Sequence, residues 1–213
     1  MSIHSPENQE KIMKAMLTQV PFEGWTLEAL RLGVLAAGFE EGDEYRAFQG
    51  NPRLVLDAFF SWTDRRMLEE LASLNLESMR IRDRIATAIL VRLRLLVPYK
   101  EAVRKTISTL AHPSYGPKGF ALLGKTVSDM WYAAGDKSTD FNYYTKRTLL
   151  AGVYMSTLWV WLEDVSSDYS ATTTHLHKRL DQVLKIPKIK GEARKFLNLA
   201  CQLPKQVFAT FFK

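Results

Sequence analysis

Gly119-Phe-Ala-Leu-Leu-Gly-Lys-Thr126 fits the phosphate-loop expression G-x-x-x-x-G-K-[ST] in full. That chemistry needs a strand leading into a glycine-rich loop whose free amides cradle phosphates. Here a Pro/Gly stretch precedes the match, and its four intervening residues are apolar with helical periodicity. No apolar strand ending in Asp offers a second metal ligand, so the segment reads as a buried helix containing Gly124. The histidines are His4, His112, His175 and His177, none with an acid three residues before it. The Glu-x-x-His pairs of di-iron bundles are therefore absent. His175 and His177, two apart, point to nearly opposite sides of a helix. Cys201 is the single cysteine, which excludes a disulfide framework and a cysteine-rich zinc site. No G-x-S-x-G elbow occurs. Nothing positive in these patterns points to catalysis, and the expectation is no metal, no cofactor and no catalytic residue.

The elements that carry these residues read as helical throughout, with apolar residues spaced by three and four. Ile12, Met16 and Val20 mark a first helix ended by Pro21 and Gly24; Thr26 caps a second, with Leu27, Leu30 and Val34 on one face. Asp43 to Phe48 is a short third, and Pro52 opens a fourth through Leu71. Helices are expected over 80–97 and 99–111, separated by Pro98, then a loop over His112–Lys118. Further helices are expected over 119–134, 140–164, 168–186 and 189–212, with Pro187 between the last two.

The chain has 213 residues, 46% hydrophobic and 24% charged, ordinary for a folded domain and unlike a disordered one. No run approaches 18 apolar residues, so no membrane-spanning helix is expected. The N-terminus lacks the patterns of a signal or transit peptide. A cytoplasmic location is expected unless a presequence was removed. The formal charge is +6, and all of the excess lies in residues 185–213, where seven basic residues face Glu192 alone. What the charge attracts, it attracts to the tail.

Within the first 60 residues, helix, Gly24-Trp25-Thr26, helix, then Gly42, Tyr45 and Phe48 resemble the three-helix unit of TetR-type repressors. In those proteins the third helix enters the major groove. A DNA reader needs basic residues near phosphates. Glu40-Glu41-Gly42-Asp43-Glu44 brings four carboxylates instead. The architecture is retained without the nucleic-acid function, and a ligand-responsive repressor is the alternative reading.

Asp129-Met-Trp-Tyr-Ala-Ala-Gly-Asp-Lys-Ser-Thr-Asp-Phe-Asn-Tyr-Tyr-Thr-Lys-Arg147 packs five aromatic residues around a turn at Gly135–Thr139. Asp140 is placed to cap the helix that follows. Tyr143 and Tyr144 are neighbours about 100° apart on a helix, so both cannot face one core line. An exposed Tyr pair beside Met130 or Trp131 suits protein binding. This block, with Arg92-Leu-Arg-Leu-Leu-Val-Pro-Tyr99 and Gly24-Trp25-Thr26, resembles the ubiquinone-biosynthesis lipid-binding protein family. The resemblance covers about residues 10–186. It implies a TetR fold and a non-enzymatic protein that holds an isoprenoid or phospholipid. It also implies a homodimer through the late helices and a partner, the demethoxyubiquinone hydroxylase, to which the quinone intermediate is presented. Mitochondrial members carry a long presequence, so the resemblance implies either a bacterial inner-membrane location or the mitochondrial matrix side of a processed protein.

Carried onto this sequence, the family's partner patch falls on Met130, Asp140, Tyr143 and Tyr144. Mitochondrial relatives have Trp where Tyr143 stands. Candidates for lipid contact come from the apolar helices: Leu93, Leu96, Phe120, Leu123, Val127 and Trp161. On a helix, Ile189, Ala193, Phe196, Leu197, Ala200, Leu203, Val207, Phe208 and Phe211 form one apolar stripe, with Lys190, Arg194 and Lys205 largely opposite. That pattern reads as an interfacial helix on anionic lipid, kinked at Pro204. Its membrane-contacting candidates are Lys190, Arg194, Lys195, Phe196, Leu197, Phe208 and Phe211. The expected organisation is all-α: a three-helix unit (1–50), a lipid-binding bundle (51–186) and an amphipathic segment (187–213).

Overall fold

The computed structural model describes residues 3–136 and 141–184. Nine α-helices and no strand lie among the described residues. They are α1 (Pro6–Glu23), α2 (Leu27–Ala36), α3 (Asp43–Phe48), α4 (Pro52–Ala72), α5 (Ile81–Leu96), α6 (Lys100–Ala111), α7 (Gly116–Ala133), α8 (Phe141–Glu163) and α9 (Ser170–Leu184).

Local chemistry starts the first helices where the sequence places them. The Ser5 hydroxyl accepts from the Asn8 amide at 3.3 Å, and Pro6 follows it. Thr26 accepts from Ala29 at 3.2 Å, and the Asn51 side chain from Arg53 at 3.0 Å ahead of Pro52. Each cap satisfies an amide the helix cannot. Pro21 does not end α1, which runs on to Glu23. The stop comes from Gly24, in a left-handed conformation (φ 70°), whose N–H closes on the Val20 carbonyl at 2.9 Å.

Two boundaries differ from the sequence reading. Pro98 sits in a short 3₁₀ turn, Val97–Tyr99, that joins α5 directly to α6. Gly116, Pro117 and Lys118, expected in a loop, form the first turn of α7. A proline there loses nothing, because the first amides of a helix have no internal partner.

The apolar faces of α1, α2 and α4 close on one another. Gly33 marks the tightest approach: a Cβ there would lie 2.7 Å from the Met16 Cα. The core continues without a break from Ile12, Met16 and Leu30 through Phe59 to Ile89, Trp161 and Leu176. Trp25 stitches the first unit to the bundle by donating to the buried Thr106 hydroxyl at 3.0 Å. Helices α5 and α9 run antiparallel. Arg82 at the start of α5 pairs with Asp181 near the end of α9 at 2.7 Å. Residues Tyr169–Thr173 lie against the Leu90–Val97 end.

Candidate functional site

The phosphate-loop match lies wholly inside α7, so its amides belong to the helix and form no cradle. Gly124 is on the open side, with nothing within 4 Å of a Cβ built on it. Lys125 and Thr126 are committed elsewhere. Asp64 of α4 and Arg92 of α5, both buried, pair at 2.9 Å. The Thr126 hydroxyl donates to Asp64 at 3.0 Å, and Arg92 Nε donates to the Tyr154 hydroxyl at 3.1 Å. Lys125 reaches Asp64 at 3.4 Å and Asp129 at 2.8 Å. Burial works against its ammonium, but hydrogen bonding and attraction from Asp129 and Asp64 outweigh that and hold its pKa above the ordinary lysine value. Lys125 and Thr126 thus help hold four helices together and leave no phosphate site.

An open cleft of about 490 Å3 lies between the end of α4, the face of α5 and the start of α9. Leu74, Leu90, Val91, Leu93, Val97 and Trp161 supply its apolar wall. Its threonines are already engaged. Thr87 donates to the Asp83 carbonyl at 2.8 Å, Thr173 to Tyr169 at 3.1 Å and Thr172 to the Asp164 carboxylate at 2.6 Å. Glu70 and Arg94 form an ion pair at the rim.

The wall at the α8–α9 connection is rigidly held. Asp164 accepts from the Ser166 hydroxyl at 2.5 Å, the Thr172 hydroxyl at 2.6 Å and the Thr172 amide at 2.8 Å. The hydroxyls of Ser166 and Thr172, and then their amides, hold its carboxyl well below the usual carboxylate range despite its burial. Tyr169 takes a left-handed φ of 52°, and Lys100 lies 5.4 Å from the centroids of both Trp161 and Tyr169.

Of the lipid-contact candidates, Leu93 and Trp161 line this cleft. Leu96 and Val127 are buried in the core away from it, and Leu123 is half-buried. Phe120 is a correction: it is 73% exposed. Leu110 of α6 packs against Gly119, 3.3 Å from where a Cβ would sit, and the next residue on the helix points about 100° away into solvent. Sequence reasoning missed Leu90, Val91 and Val97. Leu90 and Val91 lie off the Ile85–Ile89–Leu93 stripe that periodicity assigns to the core, and Val97 follows the end of α5 in the 3₁₀ turn.

The aromatic corner joins α7 to α8. Tyr143 and Tyr144 meet edge to face, centroids 5.1 Å apart, and Tyr144 is 69% exposed. The Arg147 guanidinium stacks on Tyr143 and donates to the Ser128 hydroxyl at 3.0 Å. Trp131 donates to the Lys146 carbonyl at 3.1 Å, and Lys146 pairs with Asp136 at 2.7 Å. Met130 is the second correction. It shares the inward face of α7 with Thr126 and Val127 and is fully buried, so it belongs to no surface patch. Tyr132, 77% exposed, is an outward aromatic of α7 that the patch assignment omitted. Asp140 lies outside the described residues, as do Lys190, Arg194, Lys195, Phe196, Leu197, Phe208 and Phe211.

In the first unit, Glu44 turns inward and accepts from the Gly42 amide at 2.9 Å and Arg31 Nε at 3.3 Å. Asp43 pairs with Arg46, the basic residue of α3, at 3.3 Å. That arrangement leaves the helix poorly equipped for phosphate. Among the described residues no helix is long and apolar enough to cross a membrane, and no group of three acidic, Cys or His residues could hold a metal.

A TetR transcriptional regulator from Nitrosomonas europaea has a similar structure (TM-score 0.67, 19% identity, 83% of this chain and 97% of that one). The likeness shows that the fold is TetR-like. The COQ9 family model matches residues 116–187, the aromatic corner and α8–α9. Two relatives are the mitochondrial ubiquinone biosynthesis proteins COQ9 of Homo sapiens and Rattus norvegicus. They are 35% and 36% identical over 83% of this chain. The chain spans 57% and 58% of their lengths. The chain belongs to the COQ9 family.

Proposed function

We propose that this protein is a non-enzymatic accessory protein of ubiquinone biosynthesis that holds the chain of an isoprenoid quinone intermediate, or of a phospholipid, and presents it to the demethoxyubiquinone hydroxylase. The cleft carries the reading. Its volume of about 490 Å3 lies in the range of small-molecule sites. Its wall is largely apolar and its threonine hydroxyls are spent internally, so it suits a hydrocarbon chain better than a polar metabolite. The polar head is left toward the charged rim of Glu70 and Arg94.

Partner docking falls to the corner that exposes Tyr144 and Tyr132. Peripheral membrane docking falls to the basic, aromatic-rich residues 187–213. Homodimerisation through α8 and α9 completes the reading. Native mass spectrometry of the purified chain, with organic extraction, tests the ligand. A co-purifying isoprenoid or phospholipid is expected, and its displacement by Leu90→Glu ties it to the cleft. A ligand retained unchanged by that variant sinks the assignment. Tyr144→Ala is expected to weaken hydroxylase capture without changing the melting temperature.

A further inference from the structure

We propose that the corner between α4 and α5 is a lipid-contact surface, whose Met79 and Ile81 enter the headgroup region of an anionic bilayer and set the rim of the cleft against it. This rests on the reading of the cleft as a lipid site and says where a chain enters. Three apolar side chains stand in water within this one short connection. Leu74, Met79 and Ile81 are 39%, 36% and 57% exposed. They border the cleft. Leu74 lines it, and so does Thr87, whose hydroxyl lies 4.0 Å from the Met79 sulfur. Single exposed apolar residues are ordinary, whereas a group of them at the rim of an apolar cleft marks a contact surface.

The corner is built, not loose. Leu76–Ser78 form a 3₁₀ turn, and the Met79 amide donates to the Leu76 carbonyl at 3.0 Å. The Arg84 guanidinium donates to three carbonyls: Glu77 at 2.9 Å, Met79 at 3.0 Å and Ala134, just past α7, at 3.1 Å. That clamp spends the polar backbone of the corner internally and fixes the connection to the end of α7. Entry into lipid then leaves few backbone groups to desolvate.

A lipid surface is the occupant that fits. A hydrocarbon chain passing from a bilayer to the cleft meets water unless the rim touches the membrane. The charge at this end suits anionic headgroups. Arg82 of α5 pairs with Asp181, so the last turns of α9 flank the corner. Arg80, Arg82, Arg84, Lys178 and Arg179 outnumber Glu77, Asp83 and Asp181 there. Arg80 is exposed and makes no capping bond on α5, which frees it to meet a phosphate. Because Ala134 leads into the aromatic corner, a protein docked on Tyr132 and Tyr144 lies beside the same membrane.

The test places a reporter on the corner of the full-length chain. In Cys201→Ser with Ile81→Cys, labelled with nitrobenzoxadiazole, vesicles of phosphatidylcholine and phosphatidylglycerol should shift the emission to the blue. Spin-labelled lipid should quench it. The same label at Ala121→Cys, on the exposed side of α7 and about 18 Å along the helix from Ala133, should not respond. In the unlabelled parent, Ile81→Asp should weaken vesicle binding about tenfold, since an apolar side chain no longer enters the bilayer. Its melting temperature should be kept, because a carboxylate suits the first turn of a helix. A silent reporter at residue 81, an equal response at residue 121, or vesicle binding unchanged by Ile81→Asp overturns the proposal. A response evoked without vesicles, by added hydroxylase or by raised protein concentration, gives the surface to a protein or a second copy and overturns it too. Lipid extracted from the purified chain is scored separately. Extracted lipid with a silent reporter ends the role of the corner alone, and a responding reporter on a chain that carries no lipid supports the corner and ends the reading of the cleft.

Discussion

Asp64 of α4 and Arg92 of α5 meet at 2.9 Å with both side chains almost wholly withdrawn from water. Around them converge Thr126 and Lys125 of α7 and Tyr154 of α8, so the charged centre of the bundle links four helices. Such a pair is costly to desolvate and more costly to break, because the survivor stays buried without its counter-charge. Arg92→Met or Asp64→Leu alone is expected to lower stability by about 3–5 kcal/mol in urea unfolding. The double replacement should recover much of the loss, and strictly additive losses would contradict the coupling.

Lys125 is paired with Asp64 and Asp129 and half-exposed, so Lys125→Ala should cost at most about 1 kcal/mol. Neither ATP nor GTP with magnesium should raise the melting temperature of the parent protein. A nucleotide-dependent rise that the variant abolishes would restore the phosphate-loop reading.

Asp164 sets an acid dependence. Its folded pKa is depressed, so its contribution is fully present above the unfolded value of about 3.9 and fades as pH falls through the folded value. Asp164→Asn should therefore melt below the parent at neutral pH, with the gap narrowing as pH drops below about 4. A constant gap across that range would contradict the role of the carboxylate charge.

Gly33 tests the closest helix contact. A methyl group there meets the Met16 backbone at 2.7 Å, which neither helix can yield without separating. Gly33→Ala is expected to destabilise by about 1–3 kcal/mol, despite alanine's better helix propensity. A variant as stable as the parent in thermal melts would show that α1 and α2 do not approach so closely.

Leu90→Glu places a carboxylate on a cleft wall whose lining cation, Arg94, is already paired with Glu70. Because Leu90 is half-exposed to the cleft, the fold should survive with a loss of about 1 kcal/mol or less. Binding of a fluorescent isoprenoid should fall at least to background. Retained binding would move the ligand to another face.

The all-helical class, the capped starts at Thr26 and Pro52, the charge confined beyond residue 184 and the aromatic block at 129–147 are properties of order along the chain. Periodicity and capping act over a few residues, which is why the sequence alone determined them. It also showed why the phosphate-loop match lacks its context. Tertiary structure decided which faces found a partner. The helical repeat aligns Phe120 with Val127, yet α6 packs on the Gly119 side and leaves Phe120 in water. Met130 lies beside the aromatic corner in sequence, yet the inward turn of α7 buries it. The cleft is the clearest case. Leu90 and Val97 have the same apolar chemistry as the core residues beside them, and only the distance between α4 and the start of α9 leaves their face open. The spacing between non-neighbouring helices depends on packing across the whole bundle, which no local pattern encodes.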